Sequence, residues 1–252
     1  MMEGQNTNRL NGRPYLFRNN FTYFIINLLI YYKMCWNKDV SLNTFLFSGF
    51  VLLLIIYNNT YTKYKLVEVD IWVYIFYCSF IFMQLIEYFI WKNINNTFYN
   101  SFYSRLAILL VLFQPIASLL MISSNYNKLK WNMISLYSVL VLPYSLYKLT
   151  TTTINSSVSS MGHLKWNYFS NFGKYKLIFG TIWLFFFFFS IFLSRYHHVS
   201  IFQILLVIVM LYYYYKDGTF TSMWCWFANT TMLYYAVYLL IYLPFMEKSK
   251  LC

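Results

Sequence analysis

The sequence predicts an all-α fold, a polytopic bundle of transmembrane helices preceded by a short interfacial helix. Hydrophobic residues make up 60% of the 252 residues and charged residues only 10%, whereas a soluble domain carries about 25% charged residues. The apolar residues also gather in stretches close to the roughly 20 residues that cross a hydrocarbon core as a helix. We therefore expect an integral, multi-pass membrane protein whose main partner is the lipid bilayer.

The charge distribution agrees with a membrane location. The net charge is +12, with 19 Lys and Arg against 7 Asp and Glu. In a soluble protein this excess would indicate nucleic-acid binding, but here the cations lie in short connections between apolar stretches. Anionic lipid headgroups attract cations placed in this way. We expect anionic headgroups as partners and no nucleic acid.

The N-terminal region, residues 1–41, is polar and basic apart from one apolar stretch, Phe21–Tyr32. That stretch is too short to span a bilayer, and no small-residue cleavage site follows it, as would be expected after a signal peptide. We interpret it as an interfacial or partly embedded helix. Ser41 is the predicted N-cap of the first span. The transmembrane domain is expected at 42–245, with a short tail at 246–252.

Seven apolar stretches have about the length of a membrane span. Most connections between them are short and rich in Asn, Lys and Ser, which predicts antiparallel neighbouring helices. Only 150–175 is long, and its run of Thr, Asn and Ser predicts a flexible loop. The predicted spans are Leu42–Tyr57, Ile71–Trp91, Arg105–Ser123, Trp131–Leu149, Lys176–Ser194, Val199–Tyr215 and Met223–Phe245.

The positive-inside rule supports seven spans with a cytoplasmic N-terminus. This arrangement places 12 of the 19 Lys and Arg residues on one side and 7 on the other. If Phe21–Tyr32 also crossed, the division would become 9 against 10 and the bias would disappear.

Glu87 is the acidic residue that the sequence places inside a span. A carboxylate at the centre of a bilayer costs about 2.5–3.5 kcal/mol on insertion scales. Gln84, Glu87 and Trp91 are spaced i, i+3 and i+7, so they share one helical face, which we expect to turn inward. Glu87 is either a proton or ion ligand or catalytic acid, or a structural acid bonded to a neighbouring helix.

Other polar residues inside the spans are Gln114, Gln203 and Asn229. Such residues commonly join helices by hydrogen bonds in membrane bundles. We interpret each of them first as a residue that holds two helices together. Pro115 and Pro143 are expected to free backbone carbonyls and to kink their helices.

Three clusters rich in Trp, Cys and His are predicted at the same inner membrane face as Glu87. They are Cys35–Ser41, Gly162–Trp166 and Trp224–Asn229. One hypothesis is a metal site, zinc for example, with Cys35, Glu87, His163 and Cys225 as ligands, because these ligand types suit zinc. Their spacing is not a recognised zinc pattern. A milder hypothesis is an ion pair between Glu87 and Arg105.

These motifs resemble those of a family of seven-helix membrane proteins from giant DNA viruses and some microbes. The resemblance covers roughly residues 35–230, and it implies the fold and the membrane location but no activity. The residues that carry it are Cys35-Trp36 with Asp39-Val40-Ser41, Gln84-x-x-Glu87-x-x-x-Trp91, Gln114-Pro115, Gly162-His163-Leu164-x-Trp166 and Trp224-Cys225-Trp226-x-Ala228-Asn229.

The favoured function is that of a channel or transporter with an internal polar site around Glu87. The alternatives are a membrane enzyme that uses the inner-face cluster and a non-catalytic protein that organises a membrane. A retinal protein is not expected, because its Schiff base requires a lysine and Met223–Phe245 contains none. The candidate residues of the polar site are Gln84, Glu87, Trp91, Arg105, Gln114, His163, Trp166, Trp224 and Asn229.

Overall fold

The computed structural model describes residues 37–62, 70–193, 197–216 and 218–246. The predicted interfacial helix Phe21–Tyr32 lies outside these ranges. Within them the chain is almost entirely helical, as predicted, and eight α-helices follow one another. They are α1 (Lys38–Tyr61), α2 (Ile71–Lys92), α3 (Thr97–Leu120), α4 (Asn127–Leu140), α5 (Leu142–Thr151), α6 (Lys176–Phe192), α7 (His197–Tyr214) and α8 (Phe220–Val237).

Shorter elements complete the described chain. A 3-10 turn, Ser124–Tyr126, precedes α4, and a second 3-10 segment, Asn167–Tyr175, leads into α6. One π-helical turn, Tyr238–Tyr242, continues α8. Two three-residue strands, β1 (Ser156–Val158) and β2 (Leu164–Trp166), lie between α5 and α6.

The first three helices begin at Asn or Asp caps, whose side chains accept hydrogen bonds from the otherwise unpaired amides of the first turn. Asn37 Oδ1 accepts from the amides of Asp39 at 2.9 Å and Val40 at 3.1 Å. Asp70 and Asn96 cap α2 and α3 in the same way. The predicted cap at Ser41 is wrong, because Asn37 starts α1 four residues earlier.

Among the described residues, four helical segments are long and apolar enough to cross a membrane: Lys38–Tyr61, Ile71–Lys92, Thr97–Leu120 and Ser170–Ser190. A shorter apolar helix follows at Ile201–Tyr214. These helices support a membrane protein. The count of seven spans stays a prediction.

The predicted span Trp131–Leu149 is not one helix. It is divided at Val141, whose φ of −108° and ψ of −47° end α4 and start α5. Pro143, at the start of α5, explains the division, because proline has no N–H and its ring clashes with the carbonyl four residues earlier. The helix is therefore interrupted near the proline where a kink was expected, at the single residue Val141.

Helix α2 lies at the centre of the bundle and packs against α1, α3 and α8. Helix α3 also packs against α6, and α7 packs against α8. Aromatic rings fill the space between α2, α6 and α8: the ring of Phe187 lies 5.8 Å from Phe80 and 5.1 Å from Trp224, both edge to face. Such pairs add to the free energy that burial itself contributes.

The run of Thr, Asn and Ser that was predicted to be a flexible loop has secondary structure at both ends, because Thr150 and Thr151 end α5 and Ser156 begins β1. Ser156 pairs with Trp166 and Val158 with Leu164 in an antiparallel hairpin. Gly162 adopts a φ of 81° in its turn, a conformation that glycine reaches without steric cost.

Helix α3 holds this hairpin in place. The Asn100 side chain donates to the carbonyl oxygen of Ser156 at 2.9 Å and accepts from its amide at 2.8 Å. The hydroxyl groups of Ser104 and Ser156 are 2.7 Å apart. Polar side chains of α3 thus bond the hairpin to the helix bundle. A hydropathy pattern does not identify these residues.

Candidate functional site

Glu87 is buried inside the bundle, with 3% of its surface exposed. Gln84, one turn earlier on α2, donates from Nε2 to Glu87 Oε2 at 3.2 Å. The hydroxyl group of Ser222 on α8 also approaches this carboxyl group. Oε1 nevertheless has no hydrogen bond of normal geometry in the described part of the chain. The prediction that Gln84 and Glu87 share an inward face is confirmed.

The predicted ion pair between Glu87 and Arg105 is wrong. The Arg105 guanidinium group donates instead to the carbonyl oxygens of Leu149 and Thr152, where it binds the last carbonyls of α5. Cations are favourable at helix C-termini, because the helix dipole is negative there. Over residues 37–62, 70–193, 197–216 and 218–246, no Lys or Arg side chain neutralises Glu87.

Cys225 and Gln114 complete a polar cluster around Glu87. The Cys225 thiol on α8 is fully buried and lies near both the Glu87 carboxyl group and the Gln114 amide of α3. Both side-chain polar atoms of Gln114 lack a hydrogen bond of normal geometry to any described residue. Three helices therefore bring an acid, an amide and a thiol together in the buried interior.

Asn229 joins α8 to α2. Its Nδ2 donates to the Phe80 carbonyl oxygen at 3.2 Å and to the Cys225 carbonyl oxygen at 2.7 Å. The bond to Phe80 joins two helices, as predicted for Asn229. Its Oδ1 has no hydrogen-bond partner among the described residues. It is therefore another buried side-chain oxygen without a hydrogen bond to the described part of the chain, like that of Gln114.

The three predicted tryptophans have different surroundings. Trp91 is half-buried at the end of α2. Trp166 is buried in β2, and Trp224 is buried among Phe80, Phe187 and Phe188. The indole N–H groups of Trp166 and Trp224 have no hydrogen-bond partner in the described ranges.

His163 lies in the hairpin and packs edge to face on the Tyr214 ring, with 5.4 Å between ring centres. The zinc hypothesis also needs Cys35, which lies outside the described residues. Within the ranges that the structure covers, no three His, Cys, Asp or Glu side chains form a group able to hold a metal ion. The structure brings Glu87 and Cys225 together, and the four-ligand zinc site stays a prediction.

Comparison of the chain with protein-family models, with curated proteins and with solved structures finds no match. The resemblance to the viral and microbial seven-helix family therefore stays a prediction. The function must be inferred from the cluster of side chains itself.

Sequence reasoning missed Ser222. A signal was present, because Ser222, Cys225 and Asn229 are spaced i, i+3 and i+7 along α8 and so lie on one face. All three are buried. This face of α8 supplies polar groups to the cluster on α2 and α3.

Proposed function

We propose that the protein is a channel or transporter in which Glu87 binds a proton or a cation inside the helix bundle. The observation that supports this function is a buried carboxyl group with no ion-pair partner among the described residues and with one oxygen lacking a normal hydrogen bond. Ionisable residues at such positions of membrane proteins commonly mark ion or proton pathways.

The surroundings of Glu87 suit a bound proton or cation better than a purely structural acid. A structural acid would use its hydrogen-bonding groups fully, since an unpaired buried polar atom costs about 1–3 kcal/mol. Here Glu87 Oε1, both polar atoms of Gln114 and Asn229 Oδ1 have no hydrogen bond of normal geometry in the described part of the chain. Three of these atoms are oxygen acceptors, the ligand type that hard cations prefer.

The enzyme alternative receives less support. Its nucleophile would be Cys225, whose side chain has no exposed surface. A nucleophilic cysteine normally occupies a partly exposed, electropositive position, whereas Cys225 lies beside an acid. The other alternative is a non-catalytic role in organising a membrane. This role requires none of the buried polar side chains around Glu87.

The test measures ion flux through purified protein in proteoliposomes. Vesicles are loaded with dyes that report H⁺, Na⁺ or K⁺, and flux is compared with that of protein-free vesicles. Wild-type protein should carry at least one of these ions. Glu87→Gln should reduce that flux to the protein-free level, because the amide keeps the size of the side chain and removes its charge.

Asp39→Asn provides the matched control. It makes the same chemical change at an exposed position in the first turn of α1, and it should leave flux at the wild-type value. Wild-type vesicles that carry none of the three ions, or a Glu87→Gln variant with undiminished flux, would refute the proposal.

A further inference from the structure

A second site lies away from Glu87. A cavity of about 220 Å³ is lined by residues of α3, α5, α6, α7, α8 and the 3-10 segment before α6. Neither Glu87 nor Cys225 lines it, and its walls are mostly apolar. Ligand sites commonly combine such walls with a few polar groups that orient the ligand.

The cavity opens sideways through α6. Leu177, Gly180 and Thr181 line it, are exposed, and share one helical face by their i, i+3 and i+4 spacing. They belong to the segment Ser170–Ser190, which is long and apolar enough to cross a membrane. If this segment crosses a membrane, the opening faces the region that acyl chains would occupy.

One charged group in the wall is available to a ligand. Lys176 lines the cavity at the first residue of α6, with its Nζ 5.4 Å from the Tyr215 ring centre. The helix dipole opposes a cation at that end, so an anion bound there is favoured by both the lysine and the dipole.

The surrounding charge is positive. The Lys165 side chain runs beside Gly218, another residue of the wall. No acidic residue of the described ranges lines the cavity. Asp217 precedes Gly218 in the sequence and lies outside those ranges, and even with this acid the two lysines leave a net positive charge.

We propose that this cavity binds an acyl chain of an anionic bilayer phospholipid, with the headgroup phosphate at Lys176. The apolar walls and the lateral opening fit the chain, and the lysine and the helix N-terminus fit the phosphate. The proposal does not depend on ion transport at Glu87.

The test uses quenching of tryptophan fluorescence by lipids with brominated acyl chains, since Trp183 and Trp224 both line the cavity. Full-length protein in nanodiscs is titrated with brominated phosphatidylglycerol or brominated phosphatidylcholine. The anionic lipid should quench at about fivefold lower mole fraction, since one lysine near a membrane surface contributes about that factor. Equal quenching by the two lipids would overturn the proposal.

Gly180→Leu adds a bulky side chain at the cavity wall, and a Cβ at this position meets no atom within 4 Å. It should remove the preferential quenching by phosphatidylglycerol. Gly49→Leu is the matched control, because Gly49 lies on α1 with equally open space around it and does not line the cavity. A Gly180→Leu protein that is quenched like wild type would also overturn the proposal.

Lys176→Gln tests the headgroup contact without filling the cavity. It should make the two lipids equally effective quenchers, whereas Lys128→Gln, at an exposed lysine of α4, should keep the wild-type preference. An unchanged preference in Lys176→Gln would refute the assigned headgroup position, even if Gly180→Leu failed to fold.

Discussion

The indole N–H of Trp183 donates to the carbonyl oxygen of Val111 at 3.0 Å. This is the carbonyl that Pro115 leaves without a helical partner, because proline at residue i has no N–H to offer to residue i−4. Helix α3 therefore continues through Pro115 to Leu120 with the freed group bonded to α6. In an environment without water, such groups must be satisfied by neighbouring helices.

Trp183→Phe should destabilise the protein by about 1–3 kcal/mol, the cost of an unpaired buried polar group. Denaturant unfolding in detergent micelles measures this. The cost should fall when Pro115 is also replaced by Ala, because residue 115 then supplies an N–H to Val111. If Trp183→Phe costs the same in both backgrounds, the indole acts through packing and not through this hydrogen bond.

Asn100→Ala should release the hairpin from α3. The substitution removes both hydrogen bonds to the Ser156 backbone and should cost at least about 1–3 kcal/mol. Limited proteolysis at Ser159–Gly162 should become faster, and unfolding should occur at lower denaturant concentration. Asn125→Ala, at an exposed position, is the control, and equal cleavage rates in the two variants would contradict the assigned role of Asn100.

Gln114→Leu distinguishes an ion site from structural adhesion. Because both polar atoms of Gln114 lack normal hydrogen bonds in the described residues, replacement by a side chain of similar size should stabilise the protein, by about 1 kcal/mol. The same change should lower ion flux. A loss of stability would show that the amide joins helices, and the transport proposal would lose one of its ligands.

Tyr168→Phe should change the response of stability to alkaline pH. Burial raises the pKa of Tyr168 to about 12 from an ordinary value of 10, and its hydroxyl donates to the Ser145 carbonyl oxygen at 2.8 Å. The neutral form is thus favoured in the folded state. This contribution is fully present below pH 10 and is lost as pH rises towards 12.

Thermal unfolding in detergent between pH 9 and pH 12 tests this expectation. The stability difference between wild type and Tyr168→Phe should be constant up to about pH 10 and then shrink. Tyr147→Phe, at an exposed tyrosine, should show no such trend. If the wild type stays more stable than Tyr168→Phe by the same amount up to pH 12, the raised pKa assigned to Tyr168 is contradicted.

The long apolar helices and the inward position of Gln84 and Glu87 could be predicted from the sequence, because both follow from periodicity and composition. The contacts of Arg105 could not, since a guanidinium group can donate to backbone carbonyl oxygens as well as to carboxylates, and the sequence does not say which of them lies within reach. The hairpin was also missed. Its strands are three residues long, and their position depends on Asn100, whose partner lies 56 residues away in the sequence.

That separation has a consequence for the order of synthesis. When α3 leaves the ribosome, the Asn100 side chain can bond only to nearby groups, the Ile94 carbonyl oxygen and the Ser104 hydroxyl group. Its two bonds to Ser156 form only after a further 56 residues have been made. A chain that stops before the hairpin thus carries all of α1, α2 and α3, while half of the hydrogen bonds of this side chain are still missing.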